Sequence, residues 1–174
     1  MGKEKSKEVF VLGGKRGWTS IKYTGIYDLD ALVSAINGYL RSREYIPVQV
    51  EHSEKVAPVG REIIIELTPF RDVTSYVRFS LGIIILGFRT VDVLVEEHNH
   101  KVKRQQGDLE LLFKAGIVKN WKKTFSPAAS GEFFRQTYEK YLVKKKLSGY
   151  EDKVEAEAKE LIAEVKKVLR SFES

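Results

Sequence analysis

Apolar and polar residues alternate through the middle of this chain, and that pattern limits the fold most. Over residues 73–88, Val77, Phe79, Leu81, Ile83 and Ile85 fall on every second position. A period of two puts them on one face of a long strand. Gly82 and Gly87 mark expected bends or bulges in it. Val91, Val93 and Val95 then alternate with Asp92 and Glu96, as in a half-buried strand. Residues 97–101 read as a tight turn in which Asn99 tolerates positive φ. Residues 108–121 form the next strand, with Leu109, Leu111, Phe113 and Ile117 on one side. Connections this short favour antiparallel neighbours.

Around this meander the apolar spacing changes to that of helices. Asp28 is a good N-cap for a helix whose stripe is Leu29, Leu32, Val33, Ile36, Tyr39 and Leu40. Pro47 closes that region. Short strands are expected at residues 9–12, 18–27, 48–52 and 61–68. Two C-terminal helices are predicted, one over residues 130–146 and one over 151–172, separated by Ser148 and Gly149. Phe134, Thr137, Tyr138, Tyr141 and Leu142 line the first. Val154, Ala158, Leu161, Val165, Val168 and Phe172 form a seam on the second, at steps of four and three. The expected fold is α+β, an antiparallel β-meander with an N-terminal helix and two C-terminal helices packed on it. Residues 1–174 read as one domain, with 1–8 as a flexible terminus and 150–174 as a long amphipathic helix.

Composition narrows function by exclusion. The 174 residues include no cysteine, which removes disulfide frameworks, cysteine-zinc sites and thiol enzymes. The apolar run at residues 79–88 is about half a membrane span and reads as a buried strand. The charged N-terminus lacks the apolar core of a signal peptide, so the expected location is cytoplasmic. Lys, Arg and Glu are plentiful, a lean toward thermophile composition. The net charge of +6 is uneven: residues 98–147 carry twelve basic and four acidic side chains.

Three stretches carry a resemblance. Val73-Thr74-Ser75-Tyr76-Val77 enters the long strand, Gly107-Asp108-Leu109 opens a strand that ends at Trp121, and Tyr138-Glu139-Lys140-Tyr141 lies in a helix. In these the chain resembles small archaeal proteins of unknown function. The likeness covers most of the chain from Ile21. It implies the α+β order and a cytoplasmic archaeal setting, and it transfers no activity.

Several clusters have the residue types of chemical sites. Gly13, Gly14, Lys15, Arg16 and Gly17 could offer backbone N–H groups and cations to a phosphate, but the Walker order is absent and a hairpin loop explains them better. His98 and His100, near Glu96 and Glu97, have metal-ligand side chains, with His52 as the other histidine. A turn between two histidines separates them, so the reading is a solvated turn and no metal site. Glu62 and Glu66 share one face of a strand and Asp72 follows closely, a spacing that could bind Mg²⁺ and that a solvated, alternately charged sheet face explains as well. No catalytic residue and no cofactor is assigned.

The basic segment carries the functional expectation. Lys101, Lys103, Arg104, Lys119, Lys122, Lys123, Lys144, Lys145 and Lys146 could neutralise phosphates, and Trp121 could stack on a base. Three readings stay open. The first is a non-enzymatic binding module for RNA or DNA. The second is a helix-grip-like protein with a small-ligand pocket between helix and sheet. The third is a self-assembling homo-oligomer that uses Val154, Leu161, Val165, Val168 and Phe172, or the strand at residues 79–88, as its interface.

Overall fold

The computed structural model describes residues 7–13, 17–122 and 144–173, together with 131, 133, 136, 137 and 140. Seven strands form one antiparallel sheet: β1 (Lys7–Leu12), β2 (Thr19–Tyr27), β3 (Gln49–Ala57), β4 (Gly60–Leu67), β5 (Phe70–Asp72), β6 (Val77–Glu97) and β7 (His100–Lys119). Two described helices accompany it, α1 (Leu29–Ser42) and α2 (Lys144–Ser171). The path across the sheet is β1-β7-β6-β4-β3, with β2 also on β7 and β5 also on β6. The chain is therefore α+β with a large antiparallel sheet, as its patterning predicts.

The alternation decides which face is covered. Ile63, Ile65 and Leu67 of β4, Phe79 to Ile85 at every second position of β6, and Leu109, Leu111, Phe113, Ala115 and Ile117 of β7 are all buried. They meet Leu29, Leu32, Ile36 and Leu40 of α1, and Val154, Ala158, Leu161, Val165 and Leu169 of α2. Asp28 caps α1 as expected, its carboxylate accepting the Ala31 N–H at 2.9 Å. The opposite sheet face carries half-buried or exposed side chains such as Ile64, Ile84 and Leu112.

The two strands expected at residues 73–88 and 91–95 are one. β6 runs unbroken to Glu97, and its register against β7 slips between Phe88 and Val91. This bulge lies beyond Gly87, not at Gly82. Arg89 takes a φ of 52°, and Thr90 turns inward, buried, to share a hydrogen bond of 2.8 Å with Tyr27. Opposite the bulge, a Cβ on Gly107 would stand 2.7 Å from the Phe88 carbonyl oxygen, so only glycine fits without a shift. Gly82 serves a different end: the Trp18 ring lies over it. The β6–β7 turn is as expected, with His98 at φ 50° and Asn99 at φ 65° between paired Glu97 and His100.

The C-terminal arrangement needs correcting. Most of the helix expected at residues 130–146, Phe134, Tyr138, Tyr141 and Leu142 among them, lies outside the described residues, as do Gly14, Lys15 and Arg16. Ser148 and Gly149 do not interrupt the chain; α2 begins at Lys144 and passes through both. A helical glycine costs about 1 kcal/mol against alanine. Burial of Leu147 and the edge contact of Tyr150 with Phe79, centroids 6.1 Å apart, anchor the helix on either side and outweigh that cost. The apolar seam of α2 is likewise part of the core. Val154, Leu161 and Val165 are at most 2% exposed, and Val168 and Phe172 pack partly buried against the same cluster. They close the chain on itself, so the seam is not free to serve as an oligomer interface. The strand at residues 79–88 is also internal, paired on both sides.

Candidate nucleic-acid interface

The basic residues are contiguous in sequence but occupy two ends of β7. Lys101, Lys103 and Arg104 lie just after the β6–β7 turn, while Lys119 ends the strand. At strand rise the separation is up to roughly 60 Å. One continuous patch from Lys101 to Lys146 is therefore not formed.

At the turn end, carboxylates answer the cations. Lys103 Nζ lies 3.1 Å from Asp92, and Arg104 bridges Asp28 at 3.0 Å and Glu97 at 2.9 Å. Lys101 stands opposite Glu96 in the register. The hydrogen bond from Lys103, helped by the Arg61 charge, holds the Asp92 carboxyl below its ordinary range. Arg104 also tethers the α1 N-cap, and its neighbour Gln105 accepts the Leu29 N–H at 3.0 Å. These side chains join the hairpin to α1. His98 and His100 are exposed at the turn, and no group of three His, Asp or Glu able to hold a metal ion occurs among the described residues.

The opposite end is different. Lys119 and Lys144 line a surface cleft of about 500 Å³ with Gln136, Lys140, Leu147, Ser148 and Glu151. Lys145 and Lys146 are exposed beside it on the first turn of α2, and Lys122 is exposed just beyond β7. Among the described residues no carboxylate lies within ion-pair distance of Lys119, Lys122, Lys144, Lys145 or Lys146. Lys123 falls outside the described residues.

Trp121 is held in place. Its indole N–H donates to the Thr74 carbonyl at 2.8 Å. The Arg78 guanidinium lies between the Trp121 and Phe70 rings, 4.2 Å from each centroid, and pairs with Asp72. Lys122 Nζ is 5.0 Å from the Trp121 ring centroid. These contacts fasten the strand end where an open stacking platform was expected.

The sequence reading missed the most buried charge. Glu157 on α2 accepts both contacts of the Arg71 guanidinium, at 2.9 and 3.0 Å, and the Tyr45 hydroxyl at 2.7 Å. Arg71 is stacked between the Tyr45 and Phe79 rings and also donates to the Arg43 carbonyl. Tyr39 reaches the Glu157 carbonyl at 2.7 Å and Glu160 at 3.0 Å. Burial, then the hydrogen bond to Glu157, pushes the Tyr45 hydroxyl well above its ordinary range. The network joins α1, β5 and α2, and the described partners satisfy both carboxylate oxygens of Glu157. The available signal was an acid three residues after Val154, inside the apolar stripe of α2.

No described helix is long and apolar enough to cross a membrane. No protein-family model matches the chain, and neither a curated protein nor a solved structure matches it.

Proposed function

We propose that the chain is a binding module for nucleic acid, contacting the phosphate backbone at the junction of β7 and α2. The observation behind this reading is the cleft of about 500 Å³ lined by Lys119 and Lys144, with Lys122, Lys145 and Lys146 nearby. These five ammonium groups have no carboxylate within ion-pair distance among the described residues, and such groups gain most by displacing counterions from a phosphate chain. Gln136 and Ser148 add neutral groups for phosphate or sugar oxygens. Trp121 fixes the strand end, so affinity would come from charge with little base readout. Lys103 and Arg104 are engaged in ion pairs with Asp92, Asp28 and Glu97 in this reading, and Lys101 lies with them at the far end of β7 from the cleft. A helix-grip pocket has less support, because Leu32, Ile36, Phe79, Ile83, Leu111 and Leu161 fill the space between helices and sheet.

The test is fluorescence anisotropy with a labelled single-stranded oligonucleotide at about 50 and 200 mM salt. Binding is expected to fall steeply with salt. Replacing Lys119 and Lys144 by Ala should lower the salt slope by about one to two units, whereas replacing Lys101 and Lys103 should not. Absence of binding at the lower salt overturns the proposal.

A further inference from the structure

β3 is the outermost strand on its side of the sheet. Among the described residues it pairs with β4 alone, which leaves one edge of its backbone open from Gln49 to Ala57. Eight of its nine residues are exposed. Edges of this length are templates for pairing, and proteins commonly blunt them with proline or with charges that repel a second strand. Here Pro47 and Pro58 flank the strand and none lies within it.

The charges of β3 are arranged to attract a copy of themselves. An antiparallel pair of β3 strands on a two-fold axis through Ser53 sets Glu51 opposite Lys55 and His52 opposite Glu54, each twice, within the stretch that follows the slip of β3 between Gln49 and Glu51. Glu51 and Lys55 share the outer face, whereas His52, Glu54 and Val56 lie on the face of Ile63 and Ile65. Moving the axis to Glu54 sets Glu54 against itself. Moving it to His52 sets Glu51 opposite Ser53 and loses the ion pairs. Val50 and Val56 are exposed large apolar side chains on this strand, 60% and 84%. Lys55 has no carboxylate within ion-pair distance among the described residues, and Glu51 holds only the Ser53 hydroxyl, at 2.8 Å.

We infer that β3 is the contact through which two copies of this chain associate, edge to edge and antiparallel about Ser53, making one sheet through both. The interface is isologous, as a two-fold pair requires, and its specificity lies in the Glu51–Lys55 pairs. It is independent of the lysine cleft at the Lys119 end of β7.

Sedimentation equilibrium of the full chain over a roughly hundredfold concentration range tests this, because dimer mass depends on protomer concentration. The wild type is expected to approach twice the monomer mass. Glu51→Lys puts lysine opposite lysine, and Lys55→Glu puts glutamate opposite glutamate. Each alone should weaken association about tenfold or more, from two lost and two repulsive cross-strand pairs. Mixed together, the two variants restore an opposite charge at every pair and should associate at least as tightly as wild type. A loss of folding cannot mimic that recovery. A wild type that is monomeric throughout, single variants that dimerise like wild type, or a mixture no tighter than its components each overturns the inference.

Discussion

Arg71 holds both carboxylate oxygens of Glu157, at 2.9 and 3.0 Å, with the two side chains only 14% and 7% exposed. Removing one partner strands the other charge away from water. Arg71→Met is therefore expected to cost about 3–5 kcal/mol. The double change Arg71→Met with Glu157→Leu removes both charges and should recover most of that loss. Denaturant unfolding of the three proteins checks this, and a double variant as unstable as the single would refute it.

Tyr45 ties stability to alkaline pH. Its hydroxyl is held protonated by burial and by the Glu157 carboxylate, above the ordinary value of 10.0. A group that binds its proton more tightly when folded gives stability that is complete below the unfolded value and is lost as pH rises beyond it. The wild-type Tm should thus fall as pH climbs above about 10. Tyr45→Phe should be less stable at neutral pH, by about 1.5–3 kcal/mol for a hydrogen bond to a charged group, and should fall less steeply in alkali. Parallel Tm profiles for the two proteins would remove Tyr45 as the cause.

Asp28 has two duties, since it caps α1 and pairs with Arg104 at 3.0 Å. Asp28→Ala is expected to cost about 0.5–2 kcal/mol. Asp28→Asn keeps an acceptor for the Ala31 N–H and should cost less. Equal losses would mean that the pair with Arg104, and not the cap, carries the effect.

Leu161 separates a core helix from an interface helix. It is 2% exposed inside the chain, so Leu161→Ala should cost about 2–5 kcal/mol. Leu161→Asp should unfold the protein at any concentration. A folded Leu161→Asp chain of reduced oligomeric mass would return the α2 seam to the surface.

Much of this architecture was legible because burial follows period. The stripe of α1, the Asp28 cap, the Asn99 turn and the apolar faces of β6 and β7 all follow from local spacing. Other features depend on partners far away in sequence. Arg89 carries no mark of a left-handed residue, so the bulge expected at Gly87 does not reveal in sequence that residues 73–88 and Val91 belong to one strand. Gly149 reads as a breaker until Leu147 and Tyr150 find the sheet. Glu157 reads as a solvated acid until Arg71 arrives from β5. Whether the lysines of residues 101–146 share one patch depends on the fold, and an extended strand carries its two ends apart. For the proposed site, sequence offers Lys119, Lys122 and Lys144 among its basic candidates. It could not separate those left without carboxylates from those already matched.

The β6–β7 pair runs from Glu97 and His100 at its turn to Val77 and Lys119 at its base, with one slip between Phe88 and Val91. A two-residue turn brings such strands together at little loop entropy, and each further pair closes next to the last. β2 must meet the same strand from far away, with Thr24 and Asp108 separated by 84 positions. Among the described residues the early strands β1 and β2 pair with β7 alone, so their backbone hydrogen bonds wait on a strand that follows them far later in the chain.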